Sequence, residues 1–156
     1  MPASTVHQAA RCKLLRFTID ERSYVTEIER VREIVFYRPS IPVPHAPAFL
    51  QGVIDLRGLA IPLIDLRERL GVPEDGRSQP IHILVVCLGH TVSGLTVDAV
   101  TDVLEVEEAC FQTPDASETR PAICRGVCRI NEDFVLVLNL DAILTHDEQA
   151  LLAGVV

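Results

Sequence analysis

Residues 49–70, FLQGVIDLRGLAIPLIDLRERL, contain two apolar runs around a short polar tip and then a brief amphipathic segment. Gly52 and Gly58 bracket Val53-Ile54-Asp55-Leu56-Arg57, and Gly58 is the residue type that accepts the positive φ of a tight reversal. Leu59 to Ile64 forms the second run; Pro62 within it has no N–H to give a ladder and belongs at an edge or a bulge. Asp65 stands where a helix N-cap is expected, before Leu66 to Leu70, and Gly71 with Pro73 supplies the stop. The pattern predicts a β-hairpin followed by a short helix, with Arg57 as a charge at the hairpin tip.

The same pattern occurs twice. Leu15, Phe17 and Ile19 alternate as a strand, Asp20 to Ser23 make a turn, and Tyr24 to Ile28 return. Val31 to Tyr37 is compatible with a helix face or a strand, and its β-branched and aromatic content favours strand. Four prolines between Pro39 and Pro47 make an extended connector. After a polar loop the order repeats, with Ile83 to Leu88, a turn at Gly89-His90, and Val92 to Val97. At an offset of 69, Val31-x-Glu33-Ile34 falls on Val100-x-Asp102-Val103; at 70, Ile41-x-x-Pro44 falls on Phe111-x-x-Pro114. At 74, Pro47-Ala48-Phe49 meets Pro121-Ala122-Ile123, Gly52-Val53 meets Gly126-Val127, and Asp65 meets Asn139.

A tandem duplication of roughly 60 residues follows, and two units of that size each bury too little to stand apart. The expected architecture is mainly β: two small intertwined barrels related by a pseudo-twofold, spanning roughly 14–72 and 80–146, with short helices after Asp65 and Asn139. Residues 1–13 read as a loose arm and 147–156 as a C-terminal tail.

The composition excludes several classes. The 156 residues carry a formal net charge of −8, with 14 Lys and Arg against 22 Asp and Glu, which argues against a phosphate-binding face and nucleic acid. Apolar runs reach about six residues, far short of the roughly twenty of a spanning helix. No apolar signal region opens the chain, so a cytoplasmic protein is the default expectation. Five cysteines, an odd number without framework spacing, fit reduced thiols. Cys124-x-x-x-Cys128 tempts a metal or redox reading, yet the repeat places these residues on Leu50 and Ile54, so they occupy aliphatic positions. His7, His45, His82, His90 and His146 are dispersed without ligand spacing. No nucleophile elbow, phosphate loop or dinucleotide fingerprint is present. Asp98 and Asp102 read as solvated carboxylates, and Glu105, Glu107 and Glu108 as a wet strand edge. No catalytic, cofactor or metal site is expected.

Val31-x-Glu33-Ile34, Ile41-x-x-Pro44-x-x-Pro47-x-Phe49, Gly52 to Gly58, Ile61 to Arg67, Val97-Asp98-x-Val100 and Leu138-x-Leu140 together resemble the CheW family of bacterial chemotaxis coupling proteins. The resemblance runs from about Leu15 to Leu144. It implies two five-stranded SH3-like barrels and a non-enzymatic adaptor. The implied partners are the cytoplasmic tip of a methyl-accepting chemotaxis receptor and the regulatory domain of a CheA-type histidine kinase, with no insertion into the membrane. It also implies that Val31, Gly52 and Arg57 matter for receptor and kinase coupling, and that Glu33 and Ile34 lie at the kinase contact.

From the residues alone Arg57 reads either as a solvated turn residue or as a bidentate clamp for a carboxylate. Val31 reads as core or as a groove wall, and Gly52 as a backbone requirement. Two departures from the family pattern stand out: Asp55 where Asn is common, and Thr96 in the segment before Val97-Asp98, where a polar residue would weaken an apolar groove wall. An adaptor of another chemosensory array, for twitching or surface behaviour, is the alternative within the class; a cysteine-dependent redox or metal protein is the alternative outside it.

Overall fold

The computed structural model describes residues 11–107, 111–112 and 123–155. Residues 1–10 of the predicted arm, Glu108, Cys110 and the repeat matches at Pro114, Pro121 and Ala122 lie outside the described residues. The first repeat supplies β1 (Arg11–Ile19), β2 (Arg22–Glu27), β3 (Val31–Phe36), β4 (Leu50–Leu56), β5 (Leu59–Asp65) and α1 (Leu66–Arg69). The second supplies β6 (His82–Leu88), β7 (Thr91–Val97), β8 (Ala99–Glu107), β9 (Phe111–Gln112), β10 (Cys124–Ile130), β11 (Asp133–Leu138) and, at the end, α2 (His146–Ala153). Residues 11–13, expected in the arm, already belong to β1, because Cys12 and Lys13 pair with Val106 and Glu105 of β8.

The strands form two sheets, ordered β3-β6-β7-β5-β4 and β8-β1-β2-β11-β10-β9. Neither sheet is drawn from one half, 14–72 or 80–146, alone. Each repeat instead sends its first hairpin, β1–β2 or β6–β7, into the sheet built by the other repeat. The reason is burial. Crossing over lets Leu15, Phe17 and Ile19 of one hairpin and Leu84, Val86 and Leu88 of the other meet in one shared apolar cluster that neither unit could build alone. Each sheet keeps a smaller core of its own, around Ile54, Leu56, Ile61 and Leu63 in one and Cys128, Ile130, Val135 and Val137 in the other. These four pairs stand 74 residues apart, so the duplication extends to individual core positions.

The ladders repeat as well. The β3–β6 register shifts between Val31 and Glu33, and the β1–β8 register shifts opposite the equivalent Thr101. The shift at Gln51 in the β4–β5 pair recurs at Arg125 in the β10–β11 pair. The parallel pair Leu63 with Gly94 recurs as Val137 with Val25. In the first sheet the proline connector returns to close the barrel: Ile41 and Val53 exchange backbone hydrogen bonds of 2.8 and 2.9 Å. In the second, β9 plays this part against β10 and gives that sheet a sixth, two-residue strand. The result is a mainly β molecule of two SH3-like barrels.

Asp65 caps α1 by accepting from the Arg67 amide, and Asn139 accepts from the Asp141 amide. The helix expected after Asn139 is only a 3-10 turn, Leu140–Ala142. The chain then restarts at Thr145, whose side chain makes a reciprocal capping box with Glu148 and opens α2. The expected tail is therefore a docked helix. Leu152 is buried in the shared cluster, and Arg69 of α1 holds Glu148 through two bonds of 2.9 and 3.0 Å.

Candidate functional site

The β4–β5 hairpin turns through two residues, Arg57 at φ 51° and Gly58 at φ 86°. Two consecutive positive φ angles define the type I′ turn that matches strand twist. Asp55 steadies it by accepting the Gly58 amide at 2.7 Å, a role either Asp or Asn can fill, so the departure at this position leaves the turn intact. The left-handed backbone at Arg57 directs its side chain back to β3, where both terminal guanidinium nitrogens donate to Glu33, at 2.7 and 2.5 Å. The bidentate clamp ties the hairpin tip to an edge strand while the Arg57 side chain remains 70% exposed. The Arg57 hydrogen bonds hold the Glu33 carboxyl below the usual range, and Glu33 in turn raises Arg57.

The bulge at Arg32 sets which side chains face outward along the rest of β3. Ile34 and Phe36 point to solvent, 40% and 75% exposed, while Val35 faces the barrel core. Phe36 stacks on His82 of β6 with ring centroids 5.5 Å apart. Arg38 lines the same shallow depression and donates to the Asp55 carbonyl at 3.1 Å. The edge of the first barrel thus presents an apolar strip with Arg38 beside it, on the strand whose Glu33 is clamped by Arg57.

Glu33, Ile34 and Arg57 are brought together here; Val31 and Gly52 are not part of the strip. Val31 pairs with Val86 and packs, half-buried, on the shared core. At Gly52 the proline connector crosses so closely that a Cβ would lie 2.6 Å from the Ile41 carbonyl oxygen and against Ser40. Gly52 keeps the connector seated on β4. Thr96 is fully buried and donates to Gln51 at 2.8 Å, so it lines no open groove wall. The partners of the strip that sequence reasoning missed are Phe36, Arg38 and His82. The alternation Arg32, Ile34, Phe36 was the available signal for Phe36, whereas His82 needed the β3–β6 register.

Asp98 is not solvated. It is 8% exposed, accepts the Asp20 amide at 2.7 Å, and faces Arg67 at 3.9 Å. Arg67, itself 6% exposed, donates to Asp65 and to the Ser78 carbonyl, and Arg77 reaches Asp65 at 3.1 Å. This charged cluster joins α1, the loop after it, the β7–β8 crossover and the β1–β2 turn. Asp102 lies on the exposed side of β8, where Thr101 and Arg16 bind its carboxyl and hold it below the ordinary range. Cys128 is buried in its aliphatic cluster, and burial pushes the half-buried Cys124 thiol up. Among the described residues no helix is long and apolar enough to cross a membrane.

A family model for the CheW-like domain matches residues 13–148. The chain is 36% identical to a chemotaxis protein CheW of Rhizobium meliloti over 139 residues, covering 88% of this chain and 90% of that one. It is 28% identical to the CheW of Klebsiella aerogenes over 145 residues, 92% and 87% of the two chains. Among solved structures, the scaffolding protein TtCheW from Thermoanaerobacter tengcongensis superimposes with a TM-score of 0.77 at 30% identity, over 86% of this chain and 92% of that one. Two crossed-over barrels, the repeat behind them and a family match across nearly the whole of both lead to one conclusion: this chain belongs to the CheW family of chemotaxis scaffolding proteins.

Proposed function

We propose that the protein is a non-enzymatic cytoplasmic adaptor that couples methyl-accepting chemoreceptors to a CheA-type histidine kinase. The β3 edge receives the kinase regulatory domain, and the junction between the barrels, beside Val31, receives the receptor tip. The single observation that carries this reading is the strip on the first barrel, where exposed Ile34 and Phe36 stand on the same edge strand as the clamped Glu33. Apolar area surrounded by a polar rim is the composition of a protein-docking surface. The clamp is rigid, since a type I′ turn fixes Arg57 and two hydrogen bonds fix Glu33. A rigid edge loses little freedom on docking. Contacts of this kind are individually weak, and clustering in an array multiplies them through effective concentration.

The test is a reconstituted array of receptor tip fragment, kinase and this chain at defined concentrations. Arg57→Ala is expected to leave the fold unchanged and to reduce receptor-dependent control of kinase phosphorylation. An unchanged phosphorylation response in that variant would refute the assignment of the edge. Direct binding of the full chain to the kinase regulatory domain and to the receptor fragment, measured separately, tests each partner on its own.

A further inference from the structure

His82 occupies the place where the chain passes from one barrel to the other. β7 ends at Val97 in the first sheet and β8 begins at Ala99 in the second. Two hydrogen bonds fix the residues of this crossover to the start of β6. The Ile81 amide donates to the Asp98 carbonyl at 2.8 Å, and the Val100 amide donates to His82 Nδ1 at 3.0 Å. The Val100 bond meets the ring at its edge, and a face of the same imidazole stacks on Phe36. One ring therefore touches both the crossover and the apolar strip.

An imidazole that accepts at Nδ1 is neutral and carries its proton on Nε2. Protonation puts a second N–H on Nδ1, directly opposite the Val100 N–H, and two donors cannot share that contact. We propose that His82 is a proton-sensitive joint: neutral, it holds the Val100 amide; protonated, it releases that amide, and the ring carries the change to the stacked Phe36, so acidification loosens the tie between the crossover and the β3 edge. The consequence for docking rests on the kinase reading above, whereas the joint itself does not.

On the segment after β3, Arg38 lines the depression that contains His82. On β3, Glu33 is engaged by Arg57, and Arg32 is an outward-facing strand residue. Across the crossover, the Asp98 carboxylate is turned to the Asp20 amide and Arg67, and Asp102 is held by Arg16 and Thr101. β7, which pairs with His82 through Val97, carries no charged residue. No described carboxylate binds the ring, so a new proton there has no acceptor waiting for it among the described residues.

The test uses the full chain, labelled for amide NMR and titrated from pH 7.5 to 5.5. The Val100 amide is expected to shift in step with the His82 imidazole, and the Ile34 and Phe36 signals to follow. A Val100 amide that stays fixed while His82 titrates would overturn the joint, and that measurement needs no variant. His82→Asn places an amide oxygen near the position of Nδ1 without a titrating group, and should flatten the response at Val100; an unchanged response in H82N would equally overturn it. Affinity for the kinase regulatory domain, measured in parallel, should fall by up to about tenfold for the wild type, the range spanned by loss of one hydrogen bond, and stay level for H82N. Failure to bind at pH 7.5 would reject the kinase reading while the amide titration still judges the joint.

Discussion

Two charged joints stand at equivalent places in the repeat, and they differ in burial. Arg67 in α1 and Asp141 in the turn after Asn139 are 74 residues apart, each two positions beyond its capping residue. Arg67 faces Asp98, just before β8; Asp141 binds Arg30, just before β3, at 2.9 Å. The first pair is about 8% and 11% exposed in its side chains, the second 37% and 75%. The duplicated backbone kept the joint, while sign and environment diverged: the loop after α1, pinned by Arg77 to Asp65 and to the Pro73 carbonyl, lies against the first cluster. A charge sealed from water depends on its partners, whereas a solvated one is largely satisfied by water.

The largest effect is therefore expected at Arg67. Arg67→Ala should cost about 3 kcal/mol, because it leaves Asp65 and Asp98 with less compensation in a buried site, and Arg30→Ala should cost under about 1 kcal/mol. Urea unfolding of the two variants side by side measures this, and equal costs would break the comparison.

Next comes the seat of the connector. Gly52→Ala forces Ser40 and Ile41 away from β4 and should cost roughly 1–3 kcal/mol, the range of overpacked sites. It should do so without removing the Glu33–Arg57 clamp.

The two outer edges sharpen the contrast further. Ile34, Phe36 and Arg57 of the first barrel correspond by the repeat to Val103, Glu105 and Asn131 of the second. Asn131 shares the left-handed backbone, at φ 58°, but an amide lacks the guanidinium's fork of donors. Phe36→Glu, which gives the first edge the character of the second, should change stability by no more than about 0.5 kcal/mol yet abolish kinase docking. Calorimetry and a binding titration on the same sample separate the two outcomes.

The smallest effect is the acid dependence of the clamp. The folded Glu33 carboxyl lies below its unfolded value, so the clamp's contribution is present above the ordinary carboxylate range. It is lost as pH falls through the depressed folded value. The stability difference between wild type and Arg57→Ala should accordingly shrink on acidification, and a difference that grows would contradict the pairing.

Much of this was legible because the repeat imposes the same demands twice. Asp65 and Asn139 could be recognised as caps, and Cys128 as an aliphatic position, since a residue 74 places away showed what the site requires. The hairpin tip at Arg57-Gly58 was legible from local turn chemistry. The docked helix was missed although Thr145-x-x-Glu148 signals a capping box; the Leu140–Ala142 turn before it looked like the end of the chain's regular structure. Asp98 was misread because an acidic composition makes solvation the usual fate of a carboxylate, and its burial depends on Asp20 and Arg67, which are distant in sequence.

The strands, their turns and caps, and the existence of two equivalent units can be read from local pattern, because these follow from alternation, φ preference and local hydrogen bonding. Contacts between distant segments set which hairpin enters which sheet, that Arg57 clasps Glu33 and that His82 spans the crossover. Those outcomes depend on which apolar faces bury one another best, a choice made between segments dozens of residues apart and invisible to any local pattern.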